Sequence, residues 1–158
     1  MITVPTKIET GQPFGLYNIL VEAQDAITDI EAVDATLAGV CGATIVVGAA
    51  HTSAIAATIQ LTDVNGDDMA VAGTVMAYLA SDALGLDINA TALTTDMVAV
   101  TDGSVAILLA NKVYMLVSEA NGDIGVQLGY TTGALDFYLV IVLPNGKRIV
   151  STKFEFTA

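Results

Sequence analysis

Few residues in this chain have side chains suited to catalysis or metal binding. The 158 residues include one histidine, His51, and one cysteine, Cys41. A zinc site draws its ligands mainly from clustered His and Cys, and one of each is too few. His51 stands in a predicted loop, which favours a solvated or hydrogen-bonded histidine over a catalytic one. The apolar neighbours of Cys41 favour a small buried hydrophobe over a reactive thiol.

Two acidic turns offer oxygen atoms of the kind that calcium prefers. The first is Asp63-Val64-Asn65-Gly66-Asp67-Asp68. It departs from the EF-hand loop because Gly66 takes the fourth position instead of the sixth, and Thr74 takes the twelfth, where a bidentate Glu belongs. Asp and Asn also stabilise turns by bonding their own backbone, so we interpret this segment and residues 119–123 as hairpin turns. Serine-hydrolase, phosphate-loop and dinucleotide motifs are missing too. We therefore predict no enzyme activity, no metal and no cofactor.

The charge distribution argues against one class of partner. The chain carries five Lys and Arg against 17 Asp and Glu, a formal net charge of -12, and residues 8–111 include no basic residue. Contact with nucleic-acid phosphates needs clustered basic side chains, so we expect no nucleic-acid partner. Lys147, Arg148 and Lys153 are three of the five basic residues. They are candidates for contact with an acidic partner, and the alternative is that they are simply solvated.

The composition is apolar for a chain with no visible membrane segment. Hydrophobic residues make up 54% of the chain and charged residues 14%. An excess of apolar surface of this kind favours a partner chain that covers it. The sequence MITVPTKIETG lacks the apolar region of a secretory signal, and residues 35–50 fall short of the roughly 20 residues of a membrane helix. We expect no signal peptide, no transmembrane segment and no membrane partner.

Three regions follow one another along the chain. Residues 1–15 contain two prolines and two glycines without lasting periodicity, which predicts an extended amino-terminal arm. Residues 16–38 predict one amphipathic α-helix, because apolar residues recur at alternating spacings of three and four. This heptad-like stripe consists of Leu16, Ile19, Ala23, Ala26, Ile30, Val33 and Leu37. It fits either a helix packed on the β domain of its own chain or a short parallel bundle between identical chains.

Residues 43–158 have the period of β-strands. Eight apolar or alternating segments are separated by turns rich in Asp, Asn and Gly. The segments are ATIVVGAA, AIAATIQLT, GTVMAYLA, SVAILLA, KVYMLVSE, DIGVQLGY, ALDFYLVIVL and KRIVSTKFEF. Such a series predicts a mainly β domain, an antiparallel β-sandwich of about seven to eight strands. Residues 84–100 fit one strand, two strands or a long loop.

A β-hairpin is predicted over residues 136–156. Residues 137–143 are apolar throughout and rich in β-branched and aromatic side chains, which predicts a strand buried on both faces. Asn145-Gly146 predicts a tight type I′ turn, in which both residues have positive φ. The return strand alternates, so we predict one buried and one wet face. The predicted buried face consists of Val150, Thr152, Phe154 and Phe156.

Four strings of sequence, taken in order, carry a family resemblance. They are TIQLTDVNGDDMA, AGTVMAYLASD, NKVYMLVSEANGDIGVQL and DFYLVIVLPNGKRIVS. Together they resemble a β-sandwich domain of Ig-like type that recurs in structural proteins of tailed bacteriophages, often behind a short amino-terminal helical segment. The resemblance covers roughly residues 43–157.

The resemblance implies a virion component and supplies no catalytic residues. The arm, the helix stripe and the single sandwich favour a capsid decoration or cement protein on the phage head surface. Its expected partners are the major capsid protein and further copies of the chain, with a homotrimer favoured. The stripe and the basic residues Lys147, Arg148 and Lys153 are the expected oligomer or capsid contacts. The alternative is a fibre or tail-associated module whose loops near Tyr130 recognise a host surface glycan.

Overall fold

The computed structural model describes residues 39–157, and these residues form ten β-strands and no helix. In chain order the strands are β1 (Gly42–Val47), β2 (Ala54–Thr62), β3 (Thr74–Ala80), β4 (Thr95–Ala99), β5 (Ser104–Leu109), β6 (Val113–Val117), β7 (Asp123–Gly129), β8 (Leu135–Val142), β9 (Arg148–Val150) and β10 (Phe154–Phe156). The predicted arm over residues 1–15 and the predicted helix over residues 16–38, with its stripe, lie outside the described residues. Over residues 39–157 no helix has the length and apolar character needed to cross a membrane.

The strands form two antiparallel sheets, as predicted. One sheet has four strands in the order β1-β2-β7-β4, and the other has six, in the order β10-β8-β3-β6-β5 with β9 also pairing with β8. The eight predicted strand segments all contain strands. Residues 84–100, for which one strand, two strands or a loop were open, fold as a loop followed by the single strand β4. The mainly β fold is therefore confirmed, with more strands than expected.

One hydrophobic core lies between the inner faces of the two sheets. In β2 the buried residues Ile55, Ala57, Ile59 and Leu61 alternate with outward-facing ones, which is the period-two pattern of a half-buried strand. The same core includes Val75, Ala77 and Leu79 of β3 in the opposite sheet. At one end it contains an aromatic cluster whose ring centroids are 5.6 to 6.1 Å apart. Its members are Tyr130, Phe137, Phe154 and Phe156.

The middle of strand β8 is buried on both faces, as its apolar run predicted. Leu139, Val140 and Ile141 are all inaccessible to solvent. Leu139 and Ile141 belong to the inter-sheet core, whereas Val140 points to the other face of the sheet. A Cβ added to Gly85 would lie 2.9 Å from Val140 Cγ2, so the backbone of the loop after β3 covers Val140 closely. Burial on the outer side therefore comes from a loop and not from a second sheet.

The turn after β8 is not the predicted type I′ turn. Gly146 has a positive φ of 82°, but Asn145 does not. Proline fixes its own φ near −65°, so Pro144 sets up the first central position of a type I turn. Gly146 N–H donates to Leu143 O at 2.8 Å, and Leu143 N–H donates to Lys147 O at 2.9 Å. The loop is thus a type I turn followed by a left-handed glycine, the common three-residue hairpin connection.

The return strand is interrupted at Ser151, which breaks the predicted alternation. Ser151 N–H donates to Leu139 O, and Leu139 N–H donates to the Ser151 hydroxyl, both at 2.9 Å. Because a side-chain oxygen replaces the backbone carbonyl as acceptor, the regular ladder stops there and β9 and β10 are separate strands. Phe154 and Phe156 are buried as predicted, but Thr152 is exposed and Ser151 is buried in its place.

Candidate functional site

The side chain of His51 accepts hydrogen bonds from its local backbone. His51 is exposed between β1 and β2, and its Nδ1 atom lies 3.2 Å from Ser53 N and 3.4 Å from Ala54 N, both of which donate to it. Cys41 is half-buried, less covered than its apolar neighbours suggested. Among residues 39–157 no three His, Cys, Asp or Glu side chains come together as a metal-binding group.

The acidic turn after β2 uses its carboxylate to hold its own backbone. Asp63 Oδ1 accepts N–H bonds from Asn65 at 2.8 Å and from Asp67 at 3.0 Å. Gly66 N–H donates to Asp63 O, and Gly66 has a φ of 87°. Residues 119–123 form a turn of the same kind, with Gly122 also at 87°. The Asn-Gly pairs in residues 39–157 therefore share one turn geometry. In the first turn Asp63 stabilises this geometry by the hydrogen bonds expected of Asp in turns.

The fold changes the titration of Tyr114. This residue lies in β6 with its side chain fully buried, and its hydroxyl accepts the Met97 N–H at 3.3 Å. The hydroxyl also donates to Asp96 Oδ1 at 3.4 Å. Burial is the main reason that the pKa of Tyr114 rises to about 12, because the phenolate would lose its hydration. The nearby Asp96 carboxylate raises this pKa further, and the arrangement suits a structural hydroxyl.

The free energy of unfolding should therefore fall in alkaline solution, because Tyr114 loses its proton there. The folded-state pKa of about 12 exceeds the ordinary value of 10.0, so the folded protein holds this proton more tightly than the unfolded chain does. This proton contributes about 2–3 kcal/mol to the free energy of unfolding. The contribution is fully present below the ordinary pKa and is lost as the pH rises toward the folded-state pKa. Urea unfolding at a series of pH values should show this decline. Tyr114→Phe should flatten it, and an unchanged slope in that variant would contradict the assignment.

The three basic candidates near the last hairpin do not form one free patch. Lys153 Nζ makes an ion pair with Asp136 Oδ2 at 2.8 Å, and this hydrogen bond raises the pKa of Lys153. Arg148 Nη1 donates to Gly85 O at 3.0 Å. Lys147 is exposed, and its backbone N–H donates to Asn145 Oδ1. Two of the three cations thus already have partners within the domain.

The outer side of the six-stranded sheet is apolar where a wet face is usual. The register places Val142, Met76, Met115 and Ala106 side by side across β8, β3, β6 and β5. They point away from the core, because the residues that alternate with them, such as Ala77, are the buried ones. A neighbouring row contains Thr74, Val117 and Ser104. We call these two rows the outer face.

The outer face carries no charge and is open to solvent. None of the strands β3, β5 and β6 contains a charged residue. Met76 is 46% exposed, Ala106 is exposed, and Met115 and Val142 are half-buried. Antiparallel sheets that meet water on one side normally alternate apolar and polar residues. The row from Val142 to Ala106 breaks that rule, whereas Thr74 and Ser104 in the other row follow it. Exposed apolar surface of this kind is typical of contacts with another macromolecule.

The free edge of β5 extends the apolar surface. Within the described residues β5 pairs with β6 alone, so its other edge is open. Ile107, Leu108 and Leu109 are 52%, 53% and 55% exposed. A register shift between Ile107 and Leu109 accompanies this run of three exposed side chains. Together the outer face and the β5 edge form the candidate interaction surface.

Sequence reasoning had not singled out this surface. The signal was present in the strings TVMAYLA, SVAILL and VYMLV, in which polar residues fail to alternate with apolar ones. From sequence alone such a run predicts a strand buried on both faces. Only the neighbours of the strand in the fold show that one face is exposed. The sequence assigned the oligomer contacts to the helix stripe, which lies outside the described residues.

Comparisons with known proteins give no family. No protein-family model and no curated protein matches the chain. Among solved structures, the chain is similar to a cohesin module from the family 33 glycoside hydrolase of Clostridium perfringens ATCC13124. The TM-score is 0.42 and the sequence identity 17%, over 75% of this chain and 96% of that chain. A likeness at this level supports no argument about function.

Proposed function

We propose that this chain is a non-enzymatic structural protein of a tailed-bacteriophage virion, with a sandwich of Ig-like type. Its role is capsid decoration: it binds the major capsid protein on the head surface and stabilises the shell. The observation that carries the proposal is the uncharged, exposed outer face of the six-stranded sheet. A surface of this kind has little to offer a polar small molecule and suits a protein partner.

The chemistry of the outer face fits a contact between proteins. Met76 and Met115 are adjacent on it, and methionine side chains adapt to irregular partner surfaces. Protein contacts of ordinary size bury about 1,200–2,000 Å² in total, which a sheet face can provide together with its rim. A decoration protein that bridges neighbouring capsid subunits would add interface of this kind to the shell.

The family resemblance supports the same proposal. Its four strings fall on β2 and the turn that follows it, on β3, on β6 and β7 with their turn, and on β8 and β9. They therefore occupy strands of both sheets in one domain. An Ig-like phage domain of this order is expected in virion proteins.

We further propose that the protein acts as a homotrimer. The stripe from Leu16 to Leu37 would join the subunits. Of the three basic residues near the last hairpin, Lys147 would be the one most available to an acidic capsid surface. Because each subunit of a trimer can contact the shell, weak individual contacts would combine through avidity.

Charge placed on the outer face should weaken binding to heads. Met76→Glu puts a carboxylate on an exposed position that the proposed interface would bury, where a charge without a partner is costly. We expect at least about a tenfold loss of affinity. The measurement is co-sedimentation with heads of the parent phage prepared without this protein.

Val64→Glu is the matched control for this experiment. Val64 is also an exposed apolar residue, but it lies in the turn after β2 and outside the outer face. The control should bind heads as the unaltered protein does. Equal binding by Met76→Glu and the unaltered protein would refute the outer face as the capsid contact. Absence of the protein from heads in electron micrographs of whole particles would refute decoration itself.

The alternative function, glycan binding, is not supported by the position of Tyr130. Tyr130 is only 8% exposed, and its ring packs against Phe137 and Phe156 with centroid distances of 5.9 and 5.6 Å. Tyr130 itself therefore presents no ring face to a sugar. Sugar-binding platforms need an exposed aromatic face, so we rank this alternative behind decoration.

A further inference from the structure

We propose that Asn145 and Gly146 form a self-modifying site, at which the folded protein converts Asn145 to aspartate or isoaspartate faster than it converts Asn65 or Asn121. The reaction is deamidation through a cyclic imide. Gly146 N attacks Asn145 Cγ and forms a new C–N bond, the Cγ–Nδ2 bond breaks, and the amino group leaves as ammonia with the proton of Gly146 N. Water then opens the imide at one of its two carbonyls. The reaction requires neither a capsid nor a second chain.

The three Asn-Gly pairs have the same turn backbone, which makes them a comparison within one molecule. Gly66, Gly122 and Gly146 have φ of 87°, 87° and 82°. The N–H of each glycine donates to the carbonyl three residues earlier, at 3.2, 3.0 and 2.8 Å in that order. This bond must open in every turn before the glycine can attack, and it gives Asn145 no advantage. A difference in rate must therefore come from the surroundings of each asparagine side chain.

The side chain of Asn145 is held in a position that favours attack. Lys147 N–H donates to Asn145 Oδ1 at 2.9 Å. Because attack on Cγ places negative charge on Oδ1, a donor that already points at this oxygen stabilises the intermediate. The same bond folds the side chain back toward Gly146, which is exposed to solvent. Within the described residues no hydrogen bond holds Asn145 Nδ2, so the leaving group is free.

Asn65 lacks the corresponding donor. In its turn the N–H two residues later, that of Asp67, donates at 3.0 Å to Asp63 Oδ1. Asp63 Oδ1 also accepts the Asn65 N–H at 2.8 Å, so one carboxylate holds the backbone on both sides of the Asn-Gly pair. Among residues 39–157 the Asn65 amide oxygen therefore has no donor to stabilise the charge that attack would place on it.

Asn121 is restrained in a different way. Asp123 N–H donates to Asn121 Oδ1, but at the longer distance of 3.3 Å. Asn121 Nδ2 donates to Asp123 Oδ2 at 2.5 Å, which holds the leaving group in place. Gly122 is buried, and a Cβ added to it would lie 2.6 Å from Leu61 O. Solvent base therefore reaches Gly122 less readily than Gly146, where an added Cβ would meet nothing within 4 Å.

The charges around the three turns act in the same direction. The attacking glycine nitrogen and the asparagine oxygen both gain negative charge, which a nearby cation stabilises and a nearby carboxylate opposes. Residues 63–68 include three Asp, and residues 119–123 include one Glu and one Asp. Asn145 and Gly146 are instead followed by Lys147 and Arg148. Charge and hydrogen bonding therefore both favour reaction at Asn145.

The test is mass-spectrometric peptide mapping of the full chain, kept folded in mildly alkaline buffer and sampled over several weeks. Asn145 should react at least about fivefold faster than either other site, which is modest beside the roughly 100-fold that one oxyanion donor contributes in an enclosed active site. Isoaspartate should be among the products, because direct hydrolysis of the amide gives aspartate alone. Equal rates at the three sites, or aspartate without isoaspartate, would overturn the proposal.

Two comparisons separate the fold from the local sequence. In guanidinium chloride the chain is unfolded and its charges are screened, so the three rates should converge. An advantage of Asn145 that is as large in the unfolded chain as in the folded one would also overturn the proposal. Asp63→Ala releases the Asp67 N–H for Asn65 Oδ1, so it should raise the rate at Asn65 but not at Asn145. An unchanged rate at Asn65 would contradict the role given to this N–H. Because no heads are used, failure here leaves the decoration test untouched.

Discussion

Val140→Asp should unfold the sandwich at room temperature. Val140 is completely buried in the middle of β8, between β3 and β9. A carboxylate at this position would be shut off from water, and the Arg148 guanidinium on the same face already donates to Gly85 O. Burying an unpaired charge costs several kcal/mol, against roughly 5–15 kcal/mol of total stability for a domain of ordinary size. Far-UV circular dichroism and urea unfolding would measure the loss.

The packing around Val140 leaves no room for water or a charge, although Val140 lies outside the inter-sheet core. Gly85 covers it, and the carbonyl of Gly85 accepts hydrogen bonds from Tyr78 and Arg148. The Asp82 carboxylate accepts backbone N–H bonds from Leu84, Leu86 and Asp87, which fix the loop that carries Gly85. A loop held by this many bonds cannot open readily to hydrate a new charge.

Val46→Asp is the matched control for Val140→Asp. Val46 is a strand residue too, in β1, but it is 65% exposed and points away from the core. Surface substitutions of this kind usually change stability by about 0.5 kcal/mol or less. A folded Val140→Asp variant with near-normal stability would mean that the loop at Gly85 does not seal β8.

The burial of β8 was predictable from its residues, but its cause was not. An apolar run from Phe137 to Leu143 has no polar face to present to water. What covers Val140 is a loop about 55 residues earlier in the chain, and no local pattern links the two. Contacts at such separations depend on strand order, which the sequence does not display.

Two local predictions were wrong, the type of the turn at Asn145 and the alternation of the return strand at Ser151. The Asn145-Gly146 pair predicted a type I′ turn, but Pro144 favours the negative φ of a type I turn at the preceding position. The prediction weighed the dipeptide without its proline. At Ser151 the hydroxyl competes with the backbone for the Leu139 N–H. Serine is known to compete in this way, but the sequence does not show where it succeeds.

The location of the candidate interaction surface could not be predicted from the sequence. The apolar composition of the whole chain indicated that a partner chain should cover apolar surface. Which residues stand exposed depends on register, since Met76 and Met115 meet only because their strands pair at that offset. The sequence therefore predicted the need for a partner without locating the surface.

Phe137→Ala should cost about 3–5 kcal/mol of folding free energy, the range for removing a buried aromatic side chain. Phe137 is completely buried in β8, and its ring lies 5.7 Å from that of Phe154 and 5.9 Å from those of Tyr130 and Phe156. The cavity would open in the middle of this cluster, where no neighbour can fill it without leaving another contact. Urea unfolding with the same slope in both proteins would measure the loss.

Phe137→Leu separates the volume of the ring from its aromatic contacts. Leucine fills much of the space, so we expect a loss of about 1–2 kcal/mol, which reflects imperfect packing and the missing ring pairs. Because Phe137 pairs in register with Phe154, the alanine variant should also speed amide exchange in β10 more than in β2. Equal costs for the two substitutions would show that ring geometry, and not filled volume, holds this end of the sandwich together. An alanine variant within about 1 kcal/mol of the unaltered protein would mean that the cluster is not part of the stabilising core.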